Sequence, residues 1–185
     1  MATDLGIVNS ALIKLGVETI SALPGTTRQG ILANEQFSKI RDELLMEHPW
    51  NFAMKRATLT ATGATPEFEF SYEYSLPADC LRVWSTQYAE DFYQVEGGKL
   101  YSNYSDIKIK YIAKITDATK FSSIFSELLS LKIASDLCYV LVQSNTLKGV
   151  LLQEYAVKLR DARSHDAQEN PPYLLMDDIF INSRY

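Results

Sequence analysis

The stretch EHPWNFAMKRATL, residues 47–59, decides how the chain is divided. Pro49 pushes the residue before it out of the helical region, so a helix arriving from the N-terminal side has to stop at His48. Trp50, Asn51 and Phe52 follow at once, and beyond them the hydrophobic period changes. The Trp-Phe pair suits a plug at one end of a core. Asn51 suits a turn, because its amide can satisfy backbone groups where the chain changes direction. Together the three residues set the angle at which a helical part hands over to a sheet.

Upstream of this corner the period is helical. Residues 30–48 present Ala33, Phe37, Ile40 and Leu44 on one face, with Glu35, Lys39, Arg41 and Asp42 assigned to the wet side. SALPGTTRQG, residues 21–30, has a Pro-Gly turn and polar company, and reads as a loop. A first helix is expected over 3–16, with Leu5, Val8, Leu12 and Leu15 at helical spacing, Thr3 as cap and Gly16 as the left-handed stop.

Downstream the period is two. In FEFSYEY, residues 68–74, Phe68, Phe70, Tyr72 and Tyr74 alternate with Glu69, Ser71 and Glu73, which predicts a strand with one aromatic and one wet face. LPAD interrupts, CLRVWSTQY resumes extended character, and Gly97-Gly98 in DFYQVEGGKLYSN predicts a tight hairpin. IKIKYIAKI, residues 107–115, alternates again with Lys108 and Lys110 outward, so the region 56–116 is expected to be an antiparallel sheet. Two further helices follow, over 122–143 and 146–167. The first is capped by Ser122 or Ser123 and is apolar nearly all round, which implies burial within the fold or between subunits. The second carries Leu147, Leu151, Tyr155, Leu159 and Ala162 on one stripe and pairs with it as a helical hairpin.

The fold class is therefore α+β: N-terminal and C-terminal helices form a bundle, and a central antiparallel β-sheet is inserted between them. Residues 1–170 make one domain. After Pro171-Pro172 the period is lost in residues 171–185, yet this extended tail holds Tyr173, Leu174, Leu175, Ile179 and Phe180. Such a tail either packs back on its own domain or docks on another chain.

Chemistry is hard to find. There is no phosphate-binding loop, dinucleotide glycine fingerprint, GxSxG or HExxH. The histidines are His48 and His165 alone, which excludes a multi-histidine metal centre and leaves a catalytic triad without support. His48 at a helix end suits capping a free carbonyl. Cys80 and Cys138 lie far apart, without metal-ligand spacing, and Cys138 suits a small core residue. Asp79, or Glu90 with Asp91, could serve a glycosidase, and Asp177-Asp178 a hard cation, but isolated acids are weak signals. No catalytic residue, cofactor or metal is assigned. A formal charge of −5, from 18 basic and 23 acidic side chains, argues against gripping nucleic acid through its phosphates, and no apolar run reaches membrane length.

The order of these features resembles the tail tubular protein A family, the head-to-tail adaptors of short-tailed bacteriophages. The resemblance runs from about residue 5 to about residue 167, and its most specific pieces are WNFA at Trp50–Ala53 and YSLPADCLRV at Tyr74–Val83. It implies a structural virion protein without enzymatic activity. Copies would form a ring of about twelve between the portal protein and the tubular nozzle, tail tubular protein B, with DNA passing through the middle. The expected location is the virion tail, after synthesis in the bacterial host cytoplasm. A head-completion stopper, or less readily a cell-wall hydrolase using carboxylates, is the alternative. The tail from Asn170 carries no family motif, so its docking on the portal is an expectation of its own.

Overall fold

The apolar helix is the axis of the helical part. The computed structural model describes residues 2–87 and 93–169. In it α1 (Asp4–Lys14), α2 (Arg28–Glu47) and α4 (Asn145–Gln168) all pack against α3 (Ser123–Val142). Phe125, Leu128, Leu131, Ile133, Leu137 and Cys138 of α3 are buried on several sides at once. Three neighbours in the same chain thus satisfy a helix that lacks a polar stripe. Of the two expectations for this helix, burial within the fold is the one met, and it no longer argues for a subunit contact. Ser130 and Ser135 sit in this apolar setting because each hydroxyl donates back to a carbonyl of its own helix, of Glu127 and Lys132, at 2.8 Å.

The helix boundaries follow from capping. Thr3, Thr27, Ser122 and Ser144 stand at the four N-termini, and each hydroxyl accepts from the amide three residues on, of Gly6, Gly30, Phe125 and Leu147. These caps put the ends within a few residues of the positions expected from periodicity. Gly16, at φ 69°, ends α1 in the left-handed region as its position required. The loop after it is pinned by Asn9, whose side chain donates to the Ile20 carbonyl at 3.0 Å and accepts from the Ile20 amide at 2.9 Å.

The β region divides into two small sheets instead of one. In chain order the strands are β1 (Met54–Leu59), β2 (Tyr72–Ser75), β3 (Cys80–Thr86), β4 (Gln94–Glu96), β5 (Lys99–Ser102) and β6 (Ile107–Ala113). The first sheet has the order β1-β6-β3 and the second β2-β5-β4, with antiparallel pairing throughout. An isolated bridge between Ala61 and Tyr74 links the strand-β1 side to the second sheet. Gly97 and Gly98 form the β4–β5 turn with φ 56° and 77°, the double positive φ that a two-residue hairpin demands.

The expectation for residues 68–74 needs correction. Only its second half is a strand, because Glu69 takes φ 65° and turns the chain. Phe68 is left 74 % exposed, while Phe70 and Tyr74 are buried. Glu73, assigned by alternation to the wet side, is buried as well. Its carboxylate accepts from Lys99 at 2.8 Å and from Thr62 at 2.9 Å, with Tyr101 further off at 3.4 Å. Arg41 was assigned to solvent and is buried too, its guanidinium held by Asp42 at 2.8 Å, whose other oxygen meets Lys114. A charge can occupy such a place only with a partner, and periodicity says nothing about partners.

The fold is thus α+β, with four helices and two small antiparallel sheets among the described residues. No helix among them is long and apolar enough to cross a membrane. The proposed tail residues Tyr173, Leu174, Leu175, Ile179 and Phe180 lie outside the described residues, as do Glu90, Asp91, Asp177 and Asp178.

Candidate interaction surfaces

The corner after α2 is built from rings inside and polar bonds outside. Trp50 is 2 % exposed, and its indole N–H donates to the Leu44 carbonyl at 2.9 Å, one of the carbonyls left open at the end of a helix. Phe125 of α3 meets its face edge-on at 5.3 Å, and Phe52 stacks beside it at 6.4 Å. Phe52 in turn touches Phe121 at 6.0 Å and Phe125 at 5.0 Å. The expected plug exists, and its other half is the start of α3.

Asn51 does more than close a local turn. It opens the short 3-10 turn Asn51–Ala53, but its side-chain amide donates to the Asp166 carbonyl at 2.6 Å, and its backbone N–H donates to Asp166 Oδ1 at 3.0 Å. His48 Nε2 lies 3.1 Å from the other carboxylate oxygen of Asp166, so the histidine reaches a side chain of α4 and not the free carbonyl expected of it. One residue earlier, Glu47 accepts from Tyr155 Oη at 2.6 Å and from Arg163 at 3.3 Å. Burial, then the Glu47 carboxylate, push the Tyr155 phenol well above its usual value, which keeps it a donor. The final turns of α4 are therefore fastened to the end of α2 at several points. Asp166 is the hub, and sequence reasoning missed it, since it is one acid among many on a solvated helix end.

Beside these bonds runs a shallow groove of about 200 Å³, lined by Phe52, Phe121, Ile124, Ala162 and His165. It lies next to the point where α4 ends.

The outer face of the first sheet has a different character. Arg56 on β1 stands opposite Lys110 on β6, Thr58 opposite Lys108, and Ser85 on β3 opposite Lys110. Trp84 on β3 is 43 % exposed, with the Arg82 guanidinium carbon 5.7 Å from its ring centre. Arg56, Thr58, Trp84, Ser85, Lys108 and Lys110 border a concavity of about 530 Å³. The opposite side of the sheet is tied differently, through Lys55, Asp79 and Tyr111. Asp79 accepts from Lys55 at 2.6 Å and from Tyr111 at 3.1 Å, and the Lys55 bond leads in holding its carboxyl below the ordinary value. Burial, with that carboxylate beside it, raises the Tyr111 phenol to about 12. An acid held ionised in this way is poorly placed to donate a proton to a leaving group.

The second sheet has an acidic, aromatic surface. Glu67, Phe68, Glu69, Gln94 and Glu96 border a concavity of about 340 Å³. Lys99 lies nearby but is bound to Glu73. Among the described residues no group of three or more His, Cys, Asp or Glu is arranged to hold a metal ion. Cys138 is buried in α3, as expected of a small core residue, while Cys80 is half-buried with its thiol pushed up by burial and by Asp79. No protein-family model matches the chain, and neither does any curated protein.

Proposed function

We propose that this chain is a structural adaptor of a short bacteriophage tail, a subunit of a ring of about twelve copies that joins the portal to the nozzle and lets DNA pass. On this reading it is a virion protein that turns over no substrate and needs no cofactor, and it works by presenting surfaces at fixed angles. The observation that carries the reading is the fastening of the α4 end to the helix-to-sheet corner. His48, Asn51 and Asp166 fix, in one place, the direction in which the sheets leave the bundle and the point where the chain continues beyond α4. A bridge between two other assemblies needs this: the element that reaches one partner has to be held rigidly relative to the element that reaches the other. The order of sequence features that resembles the adaptor family supports the same reading.

In this proposal the segment from residue 171, with Tyr173, Leu174, Leu175, Ile179 and Phe180, docks on the portal. The net acidic charge suits a channel that does not hold passing DNA. The test is co-expression with the portal protein of the same genome, followed by native mass measurement. A discrete species with a full portal ring and a matching set of these subunits is expected. An intact portal ring beside free monomer would overturn the proposal.

A further inference from the structure

The chain carries two exposed surfaces of opposite charge, and neither is neutralised within the described residues. On the first sheet, Arg56 faces Lys110 directly across the β1–β6 pair. Like charges in that position destabilise a sheet, and the usual remedy is a carboxylate nearby. Among the described residues none of Arg56, Arg82, Lys108 and Lys110 is in an ion pair, although the acids of this protein are otherwise widely paired, as at Asp42, Glu47, Glu73, Asp79 and Glu127. At the rim of the same face, Trp84 offers a large apolar surface beside the Arg82 guanidinium.

The second surface is its counterpart. Glu67, Glu69 and Glu96 have no ion pair among the described residues, and Phe68 projects between the first two with 74 % of its surface in water. The positive φ of Glu69 is the backbone device that turns this segment out of the strand pattern and leaves Phe68 uncovered. A non-glycine residue in the left-handed region is costly enough to ask what the exposed ring is for.

We propose that these surfaces bind each other between copies of the chain, with the Glu67-Phe68-Glu69 knuckle of one copy seated against the Arg56-Lys108-Lys110 face and Trp84 of the next. Three kinds of match support a second copy as the occupant. Carboxylates meet cations, an exposed aromatic ring meets an exposed indole, and a projecting knuckle meets a concavity. The knuckle precedes β2 and the basic face belongs to the first sheet, and the proposed contact is heterologous, with each copy offering one patch to each of two neighbours. Such a contact propagates and closes into a ring when the rotation allows. The inference deepens the ring reading above by naming the lateral surfaces, and it can be tested without a portal.

The experiment is sedimentation velocity of the full chain, over a concentration series, at low and at moderate salt. The wild type is expected to self-associate with rising concentration, and to do so less as salt shortens the range of the charges. The variant Arg56→Glu with Lys108→Glu, and separately Glu67→Lys with Glu69→Lys, should each lower the association constant at least tenfold. All four positions are exposed, so far-UV spectra should be unchanged. A one-to-one mixture of the two variants should associate again, because each then supplies the charge that the other lacks. A wild type that stays monomeric to about 1 mM would overturn the inference, as would reversals that leave association unaltered or a mixture that fails to recover. If the Arg56/Lys108 variant instead loses retention of duplex DNA while self-association is unchanged, the basic face is a nucleic-acid surface and the inference falls. Portal complexes that form normally with both variants would leave the adaptor reading standing after the lateral contact had failed.

Discussion

If Asp166 is the hub that holds α4 to the corner, then His48 and Asp166, joined side chain to side chain, should behave as one unit when either is removed. In Asp166→Ala the carboxylate that receives the Asn51 amide at 3.0 Å and faces His48 Nε2 at 3.1 Å is lost, and the side chain of Asp166 is only 12 % exposed. The Asn51 N–H then loses its bond to a charged acceptor, which costs about 1–3 kcal/mol. For a chain of this length that corresponds to a fall in melting temperature of roughly 2–4 °C per kcal/mol, so a drop of about 4–8 °C is expected for a mid-range loss. Asn51→Ala removes the 2.6 Å bond from the side-chain amide to the Asp166 carbonyl but keeps the backbone N–H, and should cost less, about 0.5–1.5 kcal/mol. A double variant of Asp166→Ala with His48→Ala decides the matter, because both single changes break the same side-chain contact. Residues joined in this way show coupling of about 0.5–3 kcal/mol, so the double variant should be more stable than the two losses added together would allow. Chemical denaturation of wild type, these two single variants and the double variant measures this directly. Losses that simply add, or an Asp166→Ala variant within about 0.5 kcal/mol of wild type, would refute the idea that the α4 end is fastened there, and with it the observation on which the adaptor reading rests.

Other perturbations test separate parts of the structure. Trp50→Ala should cost about 3–5 kcal/mol by emptying the space between Phe52 and Phe125, and thermal unfolding should show it as the most damaging single change at the corner. Gly98→Ala should cost about 1–2 kcal/mol, since φ 77° places a side chain in the left-handed region, whereas Gly149→Ala, in α4 with nothing near the added methyl, should stabilise by up to about 1 kcal/mol. Asp4→Asn should raise the melting temperature at pH 7: burial raises the Asp4 carboxyl above its ordinary 3.8, and one of its oxygens is buried without a hydrogen-bond partner among the described residues. A carboxyl raised in the folded state disfavours folding once it is ionised, so the gain should shrink as pH falls through its folded value, and a gain that persists at pH 3 would sink the explanation. The opposite sign holds for Glu73 and Asp79, lowered chiefly by Lys99 and Lys55. Their stabilisation is present above the ordinary values of 4.5 and 3.8 and is lost as pH falls below them, so acid titration of Glu73→Gln should show a weaker loss there than wild type.

How much of this was legible in the sequence depends on the range of the interaction. The helices were readable because spacing and caps are local: Thr3, Ser122 and the stripe of α4 state their roles within a few residues. The hairpin at Gly97-Gly98 was readable for the same reason. Phe68 to Tyr74 was not, because one residue at positive φ, Glu69, breaks an alternation that looks unbroken as a string of letters. Glu73 and Arg41 were misplaced because their burial depends on Lys99 and on Asp42, and burial with a partner leaves no periodic trace. The corner was visible as an aromatic cluster, but its second half was not. Phe125 and Asp166 lie 75 and 116 residues beyond Trp50, at distances that pattern cannot bridge.

The same distinction bears on which parts of the adaptor reading are strong. The all-apolar α3 left burial within the fold or between subunits open, and its neighbours α1, α2 and α4 cover most of it within one chain. On the proposed ring reading, subunit contacts then come from elsewhere, and the pair of surfaces proposed for them is largely polar: the Arg56-Lys108-Lys110 face and the Glu67-Phe68-Glu69 knuckle. This changes the kind of assembly to be expected. An interface of exposed charges around a few aromatic rings favours fast, correctly oriented encounter more than tight binding, since exposed ion pairs contribute about 0–1 kcal/mol each. Subunits joined in that way would remain separate at low concentration, associate as concentration rises, and collect most readily where a template holds many of them close together, which raises their effective concentration. A portal ring would be such a template. Assembly favoured at the portal would then follow from this surface chemistry, without any further switch in the fold.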